Sequence, residues 1–167
     1  MSIPDKIEKQ ITLRAPLARV WSAITDSQQF GTWFGCALDG PFVAGKKATG
    51  TIQPTKVDEE VAKLQESHAG TPFEIVVERI EPMRLFAFHW HPYAVEPGMS
   101  YDTEPMTLVT FELQEIEPGK THLKITESGF ERVPLERRAR AFTENEGGWT
   151  HQTKMIEKYV YGAAAGR

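Results

Sequence analysis

Residues 134–161 repeat one stripe at steps of three and four: Phe142, Asn145 or Glu146, Trp149, Thr153, Ile156 and Val160. That spacing predicts a single helix well beyond the usual three turns. A long helix with one apolar stripe has to lie across a surface that buries it. The residues before it supply such a surface. "FEIVVERI" (73–80), "RLFAFHWH" (84–91), "MTLVTFELQEI" (106–116) and "KTHLKITES" (120–128) read as strands. "IEKQITL" (7–13) reads as a first strand, and turn signals at Asp39-Gly40-Pro41 and Ala44-Gly45-Lys46 bound two short ones. Two helices follow the first strand. "APLARVWSAIT" has Leu17, Val20, Trp21 and Ile24 at helical spacing; "DSQQFGTWFG" is opened by Asp26 or Ser27 and closed at Gly31 or Gly35. The expected class is α+β: an antiparallel sheet with one apolar face covered by the last helix.

Connection lengths suggest where a site could open. The links at 81–83 and 117–119 are tight, whereas 53–72 and 92–105 are long. Tight and long links alternate in a meander, so both long ones fall at one end, with Gly129 to Pro134 beside them. Long loops gathered at one end of a sheet can frame the mouth of a cavity. Val61 and Leu64 in the first of them suit a short amphipathic turn, either solvated or a lid.

Strand alternation sorts side chains by face. Phe86, Phe88 and Trp90 share the inner face, joined by Val109, Phe111 and Leu113, and by Thr121, Leu123, Ile125 and Glu127. His89 and His91 fall on the outer face. Glu127 is the one acid in the inner set: either a rim residue, solvated or paired with Arg132, or a polar anchor for a ligand. Trp33, Phe34, Phe142 and Trp149 add aromatic surface. The expected ligand-binding set is therefore Trp33, Phe34, Phe88, Trp90, Phe111, Glu127, Phe142 and Trp149, the same residues that would make a plain core. Glu96, Asp102 and Glu104 read as solvated acids of the mouth loop. Gly147-Gly148 inside the long helix points to close approach of another element or a ligand, or to a bend.

Composition narrows the chemistry. A chain of 167 residues, 40% hydrophobic and 25% charged, fits one domain over 1–167. A net charge of -4 gives no drive toward nucleic acid or an anionic membrane. With no signal segment or apolar run of about twenty residues, the expected address is the cytoplasm. The single cysteine, Cys36, reads as a small buried apolar residue. One thiol cannot form an intrachain disulfide or hold an iron–sulfur cluster. No cofactor, catalytic set or metal set is expected: His89 and His91 would need a third ligand such as His122.

"APLARVWSAITDSQQFGTWFG", "ERIEPMRLFAFHW", "TLVTFELQEIEPGKTHLKITESGF" and "NEGGWTHQTKMIEKYV" together resemble the START-like helix-grip superfamily (SRPBCC, birch-pollen-allergen-like). Within it the chain resembles the branch of heat-shock-protein ATPase activator homologues, over nearly its whole length. Some bacterial members with similar segments carry a vanillate-demethylase-reductase label, which a chain with one cysteine does not suit. The resemblance implies a curved seven-stranded sheet around a long C-terminal helix, with a cavity for a small apolar ligand, lipid- or polyketide-like. Three readings stay open: a ligand-binding domain, a cyclase or hydrolase using Glu127 or an inward histidine, and a chaperone-partner domain. Outer-face Leu85 and Leu108 would suit a homodimer.

Overall fold

The C-terminal stripe forms one helix, α4 (Leu135–Ala165). The computed structural model describes residues 5–94 and 100–165, with side chains through residue 162. Before α4 come β1 (Lys6–Leu13), α1 (Leu17–Thr25), α2 (Ser27–Phe34), β2 (Cys36–Leu38) and β3 (Lys47–Ile52). Then follow α3 (Glu59–Gln65), β4 (Pro72–Glu81), β5 (Leu85–Trp90), β6 (Thr107–Glu117) and β7 (Lys120–Ser128). The seven strands form one antiparallel sheet in the order β1-β7-β6-β5-β4-β3-β2. Placing β1 beside β7 leaves the short β2 at the far edge, and α4 packs against α1, α2 and β1.

The inner face is the one the alternation gave. Val109 pairs with Glu127, Phe111 with Ile125 and Leu113 with Leu123, all buried. Phe86 and Phe88 lie opposite Phe111 and Val109 on the next strand. The caps of α2 follow local chemistry. The Asp26 carboxylate accepts from the backbone N–H groups of Gln28 and Gln29, at 3.0 and 3.1 Å. Gly35 ends the helix at φ 104°, a left-handed position that favours glycine.

Three local expectations change. β5 ends at Trp90, one residue short, so alternation no longer governs His91. The segment 53–72 is not a bare excursion. It contains α3, whose N-cap Asp58 accepts from the Val61 N–H and from the Lys158 ammonium of α4. The lysine bond, then the backbone bond, holds the Asp58 carboxyl below the usual carboxylate range. Leu85 and Leu108 are only half-buried. The exposed large apolar side chains among the described residues are Val43, Leu64, Met83, Ile116 and Leu135, on separate elements.

Cys36 is buried beside α2, and burial pushes its thiol up from 9.0 to about 12. Iodoacetamide at pH 8 is expected to leave the native protein unlabelled and to label it fully in urea. The sign for stability follows from linkage. Between pH 9 and 12 the unfolded thiol loses its proton while the folded one keeps it, so this contribution to stability falls as pH rises. Rapid labelling of the native protein would contradict both statements.

Candidate functional site

The alternation of β7 turns Glu127 inward, where the sheet is covered by the middle of α4. Glu127 is 0% exposed, and among the described residues its hydrogen-bond partners are neutral side chains. Trp90 Nε1 donates to Oε2 at 2.7 Å, and Trp149 Nε1 donates to Oε1 at 2.8 Å. Thr107 Oγ1 lies 2.6 Å from Oε2, and Asn145 Nδ2 reaches both oxygens at 2.9 and 3.1 Å. The rim alternative is thus overturned. Arg132 does not reach Glu127, and its Nη2 instead lies 3.5 Å from the Met106 carbonyl. The consequence for shape is direct. One carboxylate holds two indoles, which stack at 5.7 Å and 30°. Trp90 is thereby fixed as a wall.

Outside that wall lies a cavity of about 850 Å³. α3 and the segment after it form one side with Val61, Leu64 and Gln65. The start of β4 contributes Phe73, the 92–105 loop Tyr93 and Tyr101, and α4 Asn145, Gly148 and Gln152. Both long connections therefore frame one opening, while the Gly129–Pro134 run does not line it.

Two bonding hubs shape the rim. The Phe34 carbonyl, left open at the end of α2, accepts from Gln152 Nε2 at 2.8 Å and from Gln65 Nε2 at 3.1 Å. One oxygen thus ties α2, α3 and α4 together. The second hub is Arg137. It forms a largely buried pair with Glu104, their side chains 13% and 12% exposed, and donates to the carbonyls of Pro92 and Tyr93. Its guanidinium also lies 4.8 Å over the Tyr101 ring. Glu104 is thus not a solvated acid; Asp102 is exposed, and Glu96 lies outside the described residues. Tyr93 has φ 49°, a left-handed value uncommon outside glycine, and such strain gathers at ligand sites.

Of the eight residues expected to line the cavity, Phe34 and Trp90 do so. Phe88, Phe111, Glu127 and Trp149 stand one layer behind, in the core. Trp33 is deeper still, its Nε1 bonded to the Ala23 carbonyl at 2.8 Å. Phe142 turns toward Phe130, 5.1 Å away, and borders a separate depression beside β1. Phe73, Tyr93, Tyr101, Gln65 and Gln152 were not in the expected set. The helical period held a signal for one of them, since Gln152 is seven residues from Asn145 and shares its face. The outer histidines also separate. His89 Nε2 lies 2.6 Å from Glu78 and His122 Nε2 lies 2.9 Å from Gln10, so neither faces the other. His91 is not an outer-face residue. It lines the cavity, with Nε2 3.0 Å from the Glu104 carbonyl.

Three of the solved structures that this fold resembles share 14–22% of their sequence with it. DynU16, a putative protein of the dynemicin biosynthetic locus, is 22% identical with a TM-score of 0.65 over 95% of this chain, which spans 48% of that one. MLL2253 from Mesorhizobium loti is 19% identical with a TM-score of 0.66, covering 93% of this chain and 96% of its own. The Aha1 dimer from Colwellia psychrerythraea is 14% identical with a TM-score of 0.64, covering 93% and 95%. No curated protein matches the chain in sequence. At these identities the likeness establishes the fold. The family model described as activator of Hsp90 ATPase homolog 1-like protein matches residues 14–161, nearly the whole chain, and the chain belongs to that family.

Proposed function

We propose that the protein binds a small hydrophobic or aromatic molecule in the cavity between α3, the sheet and α4. The carrying observation is the cavity of about 850 Å³, walled by Phe34, Phe73, Trp90, Tyr93 and Tyr101. Its size falls in the range of small-molecule sites. Leu64, 64% exposed at its edge, is an apolar side chain that an occupant would cover. The polar machinery behind the wall supports binding rather than chemistry, because the donors around Glu127 are spent on fixing Trp90 and Trp149. The address proposed for this activity is the cytoplasm.

A second reading, association with a protein partner or a second copy, draws on the family description and on the Colwellia dimer. Leu85 and Leu108, half-buried on the outer face of the sheet, would be the apolar part of such a contact. Native mass spectrometry of freshly purified protein tests both readings. The expected spectrum shows a small-molecule adduct, one per chain, that disappears on denaturation. A bare chain that also takes up no added aromatic compound would sink the ligand reading, and a bare dimer would favour the second.

A further inference from the structure

His91, Tyr93, Ala94, Ser100, Tyr101 and Asp102 line the cavity from the two ends of one connection, after β5 and before β6. The β5–β6 ladder stops where Trp90 lies opposite Thr107, so sheet pairing does not hold these ends. Arg137, in the first turn of α4, reaches both. Its Nε donates to the two Glu104 carboxylate oxygens at 3.2 and 3.1 Å, and its Nη2 to Oε1 at 2.8 Å. At the other end, Nη2 donates to the Pro92 carbonyl at 2.9 Å and Nη1 to the Tyr93 carbonyl at 3.2 Å. The face of the same guanidinium covers the Tyr101 ring. A second tie lies beside it, His91 Nε2 at 3.0 Å from the Glu104 carbonyl. Among the described residues, the hydrogen bonds of Arg137 all go to this connection and none goes to the sheet or to another helix.

We propose that Arg137 is a positioning residue for the ligand, clasping the two ends of the connection so that the Tyr93 and Tyr101 side of the cavity keeps the shape that binds. This rests on the ligand reading above and deepens it. The chemistry selects arginine. A planar fork of donors meets a carboxylate and two carbonyls at once and lays its face on a ring, whereas a lysine ammonium is a single point of charge. The effect falls on binding rather than on folding. Ordering an open connection costs conformational entropy, and the clasp meets that cost before any occupant arrives. Without it the occupant has to order the wall itself, which weakens its affinity. The core is spared, because the ends lie beyond the ladder. Glu104, once released, turns out to water with its segment instead of staying buried and alone, which is a local opening.

The test measures the affinity for 9-phenanthrol, a planar aromatic probe, by titration calorimetry, and stability by urea unfolding. Arg137→Lys is expected to bind about tenfold or more weakly than the parent, with an unfolding midpoint close to the parent's. Arg138→Lys is the control. Arg138 donates to the carbonyls of Val133 and Glu131, away from the cavity, and its replacement should leave the affinity unchanged. In Arg137→Ala, ethylguanidinium at millimolar concentration should restore binding and ethylammonium should not. If Arg137→Lys does not fold, Glu104→Gln tests the same clasp from the connection's side, with weaker binding at a nearly unchanged midpoint expected. Unchanged affinity in the folded variant, or affinity that falls only together with the midpoint, overturns this inference and leaves the ligand reading standing. A parent that binds no 9-phenanthrol removes both.

Discussion

Replacing Glu127 with alanine is expected to destabilise the fold by about 3–5 kcal/mol, the cost of removing one partner from a buried polar cluster. For a domain of this size that lowers Tm by roughly 10 °C. Two indole N–H groups, an amide N–H and a hydroxyl all converge on this carboxylate, and none has a second acceptor within bonding distance among the described residues. Alanine strands them in the core and leaves a void besides. Glu127→Gln keeps the volume but offers one oxygen to the same donors and turns an N–H₂ toward the others. It should lose a large part of the same stability. Thr107 can adapt by rotating its hydroxyl, whereas the two indoles cannot. The control is Glu146→Gln, one helical residue beyond Asn145, where the carboxylate meets Lys9 at 47% exposure and a change of less than about 1 kcal/mol is expected. Urea unfolding followed by tryptophan emission measures all three. A Glu127→Ala protein as stable as the control would show that the cluster is incidental.

The contrast between Glu127 and Glu104 shows what was legible in the sequence. Alternation along β7 placed Glu127 on the inner face, because a strand held on both sides keeps its period of two. The inner sets of β5, β6 and β7 and the stripe of α4 were readable for the same reason. Depth was not readable. Whether Glu127 ends at a rim or under α4 depends on where the helix crosses, and that is set by packing at Asn145 and Trp149. Glu104, Tyr93, Tyr101 and His91 sit in a connection with no period at all. Their positions follow from Arg137, more than thirty residues later, whose bonds no local pattern announces. Phe142 failed differently. It shares the stripe of α4, yet the helix is long enough for its first turns to face Phe130 and its middle to face the cavity. A ligand site at an element's edge is assembled from such irregular pieces, so periodicity found the wall and missed the mouth.

Filling the gap on α4 is expected to separate stability from binding. Glycine inside a helix costs about 1 kcal/mol relative to alanine, and this helix carries two in succession. A crowding neighbour would explain them, but a Cβ at Gly147 or at Gly148 meets nothing within 4 Å. Alanine at either position should therefore stabilise the protein by about 0.5–1 kcal/mol. The positions differ in what lies beyond the Cβ, since Gly148 lines the cavity and Gly147 does not. Gly148→Leu keeps the helical gain and projects a branched side chain over the floor beside Trp90 and Phe34. Overpacking of that size should weaken binding of a planar aromatic probe such as 9-phenanthrol by about tenfold to hundredfold, with a Tm at or above that of the parent. Gly147→Leu should leave the affinity unchanged. Stability gained at the expense of a site is the pattern expected where a glycine is kept for the space it leaves. Undiminished binding by Gly148→Leu would place the ligand elsewhere and remove the cavity from the proposed function.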